Sequence, residues 1–326
     1  MRNGNDSLRV FAGRHSRGMA EATCAHMGIP LGVAKTVVFP DGELMVKLEE
    51  DVRGRDIFVI ISTCDPVNDN LVELLIFVDC LKRASADRIT ICMPYFGYGR
   101  QDRKTEGRVP ITAKLVANLI TASGADRVLA IDLHAAQIQG FFDLPMDHLS
   151  ATPVFDEHFR AMREQLGDLC LVSPDVGNVK VAEGMANQLS GDLAIINKQR
   201  ISGSEVDVGN IIGSVEGKTV LMFDDMISTG GTVRKAGELV RRNGAKKVIA
   251  AATHAVLSGN AMANLADDVI DRVVVTDTIP TSGRCDALKG KLTVLSVGPL
   301  LGEAIKRIHN DDSVSELFQN SAGPKR

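Results

Sequence analysis

The chain has 326 residues, 37 basic and 41 acidic, a formal net charge of −4, and 44% hydrophobic composition. That length accommodates two domains of ordinary size, and the charge balance, with no long basic tract, argues against nucleic acid as a principal partner. No apolar run approaches the roughly 18 residues of a membrane span, and MRNGNDSLRVFAG contains no apolar signal core, so a cytoplasmic protein without a membrane partner is expected.

In chain order, β-rich runs at Leu8–Ala12, Ile57–Ser62, Arg88–Met93 and Arg127–Asp132 alternate with helical patterns. After a predicted helix over Pro153–Gln165 the rhythm resumes at Leu169–Ser173, Leu193–Ile196, Thr219–Asp224, Lys247–Thr253, Val273–Thr276 and Leu292–Val297. Such alternation predicts the α/β class, with two doubly wound domains and mainly parallel sheets. The division is expected near Asp147–Thr152, giving domains 1–149 and 150–308. VLAIDLHAAQIQG and VLMFDDMISTGG share a plan, which fits a duplication but also any repeated strand–turn–helix fold. In the tail, Val314–Phe318 is a last apolar patch, and disorder is expected from Asn320.

The six cysteines, Cys24, Cys64, Cys80, Cys92, Cys170 and Cys285, form no C-x-x-C pair and read as free thiols of a reducing compartment. Aromatic residues are only 4% of the chain, so candidate base-stacking platforms reduce to Phe39 and the cluster Tyr95, Phe96 and Tyr98.

Several turns concentrate polar chemistry. FPDGE (39–43) follows the run Thr36–Val38 and reads as a hairpin tip presenting Phe39, Asp41 and Glu43. PYFGYGRQDRKTEGRVP (94–110) packs Arg100, Arg103, Lys104 and Arg108 beside Gln101; it suits a polyphosphate or base, or else a solvated loop. In IDLHAAQIQGF, Asp132 and His134 are spaced to share one face of a strand end and meet a cation, although a structural hydrogen-bonded pair has the same spacing. In SPDVGNVK, Asp175 is a helix cap or a metal carboxylate. NKQRISGSE puts Lys198 and Arg200 ahead of a small polar stretch, where two cations could close over a reacting phosphate.

The most informative stretch is KTVLMFDDMISTGGTV (218–233). The apolar run Val220–Phe223 is expected to end where Asp224 and Asp225 begin; Ser228, Thr229, Gly230, Gly231 and Thr232 then precede an amphipathic helix predicted over Arg234–Asn243. Backbone N–H groups of a glycine-bearing turn at a helix N-terminus hold a dianionic phosphate, and two carboxylates beside it take neutral hydroxyls or a cation. A sugar phosphate satisfies both ends. No Walker sequence and no Rossmann glycine fingerprint occurs.

The stretch resembles the phosphoribosyl-diphosphate (PRPP) loop shared by phosphoribosyltransferases and PRPP synthetases, and by itself does not choose between them. With FPDGE, GRQDRK, DLHAAQIQGFFDLP, SPDVG, NKQR and the tail HNDDSVSELF, nearly the whole chain resembles the class I PRPP synthetases, the ribose-phosphate diphosphokinases. The resemblance implies two phosphoribosyltransferase-like domains, with residues 309–322 packing on the first. It implies a transferase that moves the β,γ-diphosphoryl group of Mg-ATP to the C1 hydroxyl of ribose 5-phosphate, giving PRPP and AMP for nucleotide biosynthesis. Lys198 and Arg200 are then catalytic. Phe39, Asp41, Glu43, Arg100, Gln101 and His134 bind ATP, and His134 and Asp175 hold Mg2+, with Asp132 beside them. Asp224 and Asp225 bind the ribose hydroxyls, and Ser228, Thr229, Gly230, Gly231 and Thr232 bind its phosphate. The hairpin is expected from a neighbouring subunit, making the ATP site an interface of a homo-oligomer, expected to be a hexamer. Inorganic phosphate is the expected activator, with Arg53, Arg108, Ser313 and Ser315 at an allosteric phosphate or ADP site.

The chain departs from the family pattern at Ser228, where aspartate is usual, at Asn178 and Val181, where glycine and arginine are usual, and at Gly107, where serine is frequent. Ser228 keeps a hydroxyl for the phosphate, whereas Asn178 and Val181 alter the surroundings of Asp175. These changes leave open a catalytically silent, regulatory relative of the synthetases. A phosphoribosyltransferase, the remaining alternative, needs neither FPDGE nor GRQDRK.

Overall fold

The computed structural model describes residues 7–173, 179–197, 199–202, 205–207, 209–315 and 317, with the backbone alone for 199–202 and 205–207. Asp175, Asn178, Lys198, Phe318 and the tail from Asn320 lie outside the described residues, as does the side chain of Arg200. The chain divides into two compact units. The first comprises residues up to Ala151, Thr278–Pro280 and a segment returning from Ser296; the second comprises Thr152–Asp277 and Thr281–Leu295.

In the first unit, β1 (Leu8–Ala12) leads through α1 (Arg17–Met27) to a hairpin of β2 (Ala34–Val38) and β3 (Leu44–Leu48). There follow β4 (Asp56–Ile60), α2 (Val67–Arg83), β5 (Arg88–Met93), α3 (Thr112–Ser123), β6 (Arg127–Ile131) and β7 (Met146–Leu149). The sheet has the order β1-β4-β5-β6-β7, all neighbours parallel. Its central strands, β4, β5 and β6, are mostly apolar and almost wholly buried because both faces are covered. On one face Ile57, Val59, Ile89, Ile91 and Val128 join Leu74, Phe77 and Leu81 of α2 and Val116, Ala117 and Ile120 of α3 in a single core. Tyr95 and Phe96 are 9% and 4% exposed, and Phe96 meets Phe142 edge-on at 5.9 Å. The expected aromatic platform is therefore mostly core, and β7 occupies part of the segment read as a domain division.

The second unit opens with α4 (Thr152–Ala161) and α5 (Arg163–Leu166), a break at Met162 in the helix expected over 153–165. Then come β8 (Leu169–Ser173), α6 (Val179–Leu189), β9 (Asp192–Ile196), β10 (Gln199–Ser202), β11 (Glu205–Asp207) and β12 (Ile211–Ile212). The remainder is β13 (Thr219–Ile227), α7 (Gly231–Arg242), β14 (Lys247–Ala255), α8 (Ala261–Ala266), β15 (Arg272–Thr276) and β16 (Leu292–Leu295). The sheet order is β12-β9-β8-β13-β14-β15-β16, parallel except for β12 against β9. The chain builds outward from β8 to β9, then crosses back to place β13 on the other side of β8. Strand order thus reverses between β8 and β13, the position where open α/β sheets form a crevice at their carboxyl ends. The polar stretch after Asn197, read as loop, forms an antiparallel ribbon of β10 and β11.

Helix α9 (Gly298–His309) belongs to the first unit, although the sequence reading assigned residues up to 308 to the second. Gly298 and Gly302, one turn apart, admit α1 to close range: a Cβ at Gly298 would lie 2.9 Å from the Ala22 Cβ, and one at Gly302 would lie 3.0 Å from the His26 Cδ2. Where α9 ends, His309 Nδ1 lies 2.7 Å from Oδ2 of buried Asp56, whose other oxygen accepts Arg88 Nε at 2.8 Å. Arg88 Nη2 also donates to the Ile308 carbonyl at 2.9 Å, so one buried carboxylate and one guanidinium fasten the helix end to the sheet.

Gly302→Leu should overpack the α1–α9 contact and destabilise the first unit by about 1–3 kcal/mol, read as a lower denaturant midpoint. In the second unit, burial first and Arg272 second push the His158 pKa down, and the ring packs edge-on to Phe159 at 5.2 Å. The unfolded chain then takes the proton more readily, so this contribution to stability is intact above the unfolded pKa of about 6.5 and is lost as pH falls below it. His158→Phe should flatten the acid limb of a thermal-stability profile; an unchanged limb would show that His158 is not its source.

Candidate active site

The carboxylate pair stands where β13 outruns a neighbour. Pairing with β8 stops at Met222 opposite Val172, while pairing with β14 continues through Asp224 opposite Ala252, Met226 opposite His254 and Ile227 opposite Ala255. The strand therefore runs to Ile227, past the end at Asp224 expected from the sequence. Support from β14 carries half-buried Asp224 and Asp225 forward beside the open crevice. The Asp225 N–H donates to Asp224 Oδ1 at 2.9 Å, which fixes one carboxylate against the next peptide.

Past Ile227 the chain turns into α7, which starts at Gly231, three residues earlier than expected. Gly230 is its N-cap with φ +72°, a left-handed conformation, and a Cβ there would also press on Asn264 and Leu265 at 3.3 Å. No side chain caps this end, and the first turn contains no acidic residue. The opening N–H groups and the positive end of the helix dipole are thus available to an anion, with exposed Thr229 and Thr232 and half-buried Ser228 beside them. Arg241 and Arg242 close the last turn, with charge complementary to that dipole.

A second loop, between β14 and α8, braces the first, and sequence reasoning did not find it. Ser258 N–H donates to the Ser228 carbonyl at 3.0 Å, the two serine hydroxyls lie 3.2 Å apart, and Asn264 Nδ2 donates to the Thr229 carbonyl at 2.8 Å. Nothing local in THAVLSGNAMAN marks these residues, because their role comes from register with a loop about 30 residues earlier.

In the first unit, the loops leaving the carboxyl ends of β5 and β6 meet. The Cβ position of Gly99 is 3.8 Å from the Cβ of exposed His134, and Gln137 Nε2 donates to Asp102 Oδ2 at 2.9 Å. Arg100 and Gln101 are exposed; the Gln101 carbonyl accepts the Ala113 N–H at 3.2 Å, and its Oε1 accepts the Thr112 hydroxyl at 2.5 Å, so it also holds the start of α3. Asp132 does not share a strand face with His134. It lies past the end of β6 with φ +39°, and its Oδ2 accepts the Ala151 N–H at 3.1 Å. Phe39, Asp41 and Glu43 are exposed on the β2–β3 turn as expected, closed by the Phe39 N–H to the Glu43 carbonyl at 2.8 Å. Among the described residues no group of three or more His, Cys, Asp or Glu is placed to hold a metal, and Asp175 is not among them.

Arg53 and Ser313 are each held to a different neighbour in the first unit. Arg53 Nη1 donates to Ser85 Oγ at 3.0 Å just before β4, and Arg307 Nη1 donates to the Ser313 carbonyl at 2.9 Å just after α9, with Ser315 N–H on Ser313 Oγ at 3.2 Å. Arg108 sits on the loop between β5 and α3. All six cysteines are free; burial pushes the thiols of Cys24 and Cys170 up to about 11 and raises that of Cys92 further, so they are poor nucleophiles at neutral pH.

A parallel α/β fold with paired carboxylates and an uncapped, glycine-bearing helix start at a strand-order reversal defines the phosphoribosyltransferase-like class. Residues 8–124 match the family model for the N-terminal domain of ribose phosphate pyrophosphokinase, and residues 201–319 match that for the phosphoribosyl synthetase-associated domain. The chain is 56% identical to the ribose-phosphate pyrophosphokinase of Rhodopirellula baltica, covering 96% of this chain and 98% of the relative. With that of Gloeobacter violaceus the identity is 49%, over 97% of this chain and 94% of the relative. The crystal structure of phosphoribosylpyrophosphate synthetase from Mycobacterium smegmatis superposes with a TM-score of 0.86 at 42% identity, over 94% of this chain and 99% of that one. The chain belongs to the ribose-phosphate pyrophosphokinase family.

Gly230→Ala should cost roughly 1–2 kcal/mol from its left-handed backbone and disorder the start of α7. The rise in melting temperature produced by millimolar phosphate should shrink with it; a full rise would show that the loop does not bind the anion.

Proposed function

We propose that the chain is a working ribose-phosphate diphosphokinase that moves the β,γ-diphosphoryl group of Mg-ATP to the C1 hydroxyl of ribose 5-phosphate, releasing PRPP and AMP. The observation that carries this reading is the placement of Asp224 and Asp225 where β13 runs past β8, followed within a few residues by an uncapped helix start. Phosphate on the α7 turn and ribose hydroxyls on the two carboxylates would fix the acceptor at both ends, turning an encounter of two substrates into a positioned displacement. Ser228 adds a neutral hydroxyl where a carboxylate would repel the phosphate.

Arg100, Gln101 and His134, with Phe39, Asp41 and Glu43 from the hairpin of a neighbouring subunit, are the proposed ATP residues, in a homo-oligomer of the cytoplasm. A Mg2+ ion, when bound, neutralises triphosphate charge. His134 and Asp175 would hold it, and since Mg2+ keeps much of its water and takes phosphate oxygens, a denser protein ligand set is not required. Lys198 and Arg200 are the proposed catalytic pair, donating to phosphate oxygens as negative charge builds on the transferred group. No residue is assigned as a general base. Arg53, Arg108, Ser313 and Ser315 are proposed to bind regulatory phosphate or ADP.

Incubation with ATP, Mg2+, phosphate and ribose 5-phosphate should yield AMP and PRPP in equal amounts. Lys198→Ala should lower kcat by about 100- to 1,000-fold with little change in KM. Full turnover in that variant would remove Lys198 from the mechanism. A wild-type protein that binds ribose 5-phosphate but forms no AMP would instead be a silent regulatory subunit.

A further inference from the structure

The first unit contains a cleft unused by the chemistry above. It lies where the chain leaves the carboxyl end of β1, between the segment Gly13–Arg17 and the approach to β2, and has a volume of about 260 Å³. Among the described residues on its wall, the charged ones are Arg14 and Arg17; the others are glycine, alanine, leucine and Thr36. The floor is tight backbone. A Cβ at Gly13 would lie 2.7 Å from Ile61, and one at Gly32 would lie 2.6 Å from the Phe11 ring.

Arg14 is fixed from behind. Glu73 of α2 is fully buried and accepts the Arg14 N–H and the Arg14 Nε, both at 3.2 Å, as well as the Thr36 hydroxyl at 2.6 Å. Beside it His15 Nδ1 lies 2.8 Å from Oδ1 of buried Asn70, one turn earlier on α2, so the segment is pinned at two successive points. This arrangement consumes the inner edge of the Arg14 guanidinium, and no described residue accepts from either of its terminal nitrogens. Arg17 has its Nε on exposed Glu21 at 2.8 Å, again leaving its terminal nitrogens without a described partner. Two guanidinium groups whose terminal nitrogens have no described partner therefore line one cleft, with no carboxylate among its described lining residues.

We propose that this cleft binds a small tetrahedral oxyanion of the phosphate class, held between Arg14 and Arg17. Guanidinium forks match such oxygens in pairs, and the buried carboxylate behind Arg14 preorganises one fork at no cost on binding. The volume falls below the ~300–1,000 Å³ of pockets for drug-sized ligands, which restricts the ligand to phosphate or a phosphate ester of a few carbons. Neither Arg53 nor Ser313 lines this cleft.

The probes are radiolabelled inorganic phosphate in equilibrium dialysis of the full chain and selenate in its crystals. Arg17→Gln touches only an exposed ion pair. It should lower the phosphate bound by one equivalent per chain at a concentration that saturates wild type, a loss of roughly tenfold or more in affinity for that site. The selenate anomalous peak between residues 14 and 17 should vanish in the same variant, with the peak at the α7 turn unchanged. Arg14→Lys, which keeps a cation for Glu73 but loses the fork, should weaken the same equivalent while preserving the melting temperature. Unchanged stoichiometry in both variants, or a cleft without selenate while the α7 turn is occupied, would overturn the proposal.

Discussion

One-sided pairing of β13 beyond Met222 is the constraint from which the acceptor half of the site follows. A strand hydrogen-bonded on both sides through Ile227 would have no crevice beside its acidic residues, and one that stopped at Phe223 would leave them on an unsupported turn. Pairing with β8 ends at Met222, while pairing with β14 continues past Asp224 and Asp225 to Ile227. The helix that follows then begins, uncapped by any side chain, within a few residues of that pair. Sheet topology, rather than any single side chain, makes the anion loop and the carboxylates neighbours.

Buried charge does a comparable job in the first unit. Glu73 ties α2 to both the β1 exit and the β2–β3 hairpin, and Asp56 ties α9 to the amino edge of the sheet. Replacing such groups by apolar ones need not weaken a fold, whereas removing one partner leaves an uncompensated ion in a dry environment. Their value here lies in geometry: each fixes segments far apart in the chain against one another. The bifurcated use of Glu73 is notable because the same carboxylate orients Arg14 and, through Thr36, the strand leading to Phe39.

Apolar runs such as Leu169–Val172 and Val248–Ala252 are legible as strands because both faces of the sheet are covered and the buried residues of a central strand are hydrophobic. The α7 turn was legible because glycine and small hydroxyls in that order serve few purposes other than an anion. What could not be read was partnership at a distance. Charge at Asp224 suggested a strand end, yet β14 overrode it; Tyr95 and Phe96 suggested a stacking platform, yet they are core; Asp132 matched a metal spacing, yet its backbone has turned before His134. Ser258 and Asn264, which brace the anion loop, carry no local signal. Each of these misses reflects tertiary pairing overruling a pattern within a few residues.

The glycine-lined seat of α9 on α1 has a further meaning for how the molecule is made. Residues 298–309 complete the first unit, yet they follow the whole of the second in the chain, so the second unit is, in topology, a long insertion within the first. During synthesis the ribosome delivers β1 to β7 without α9, and the α1 surface that receives Gly298 and Gly302 stays uncovered until some 150 further residues have emerged. The first part of the protein to be made is the last to be finished.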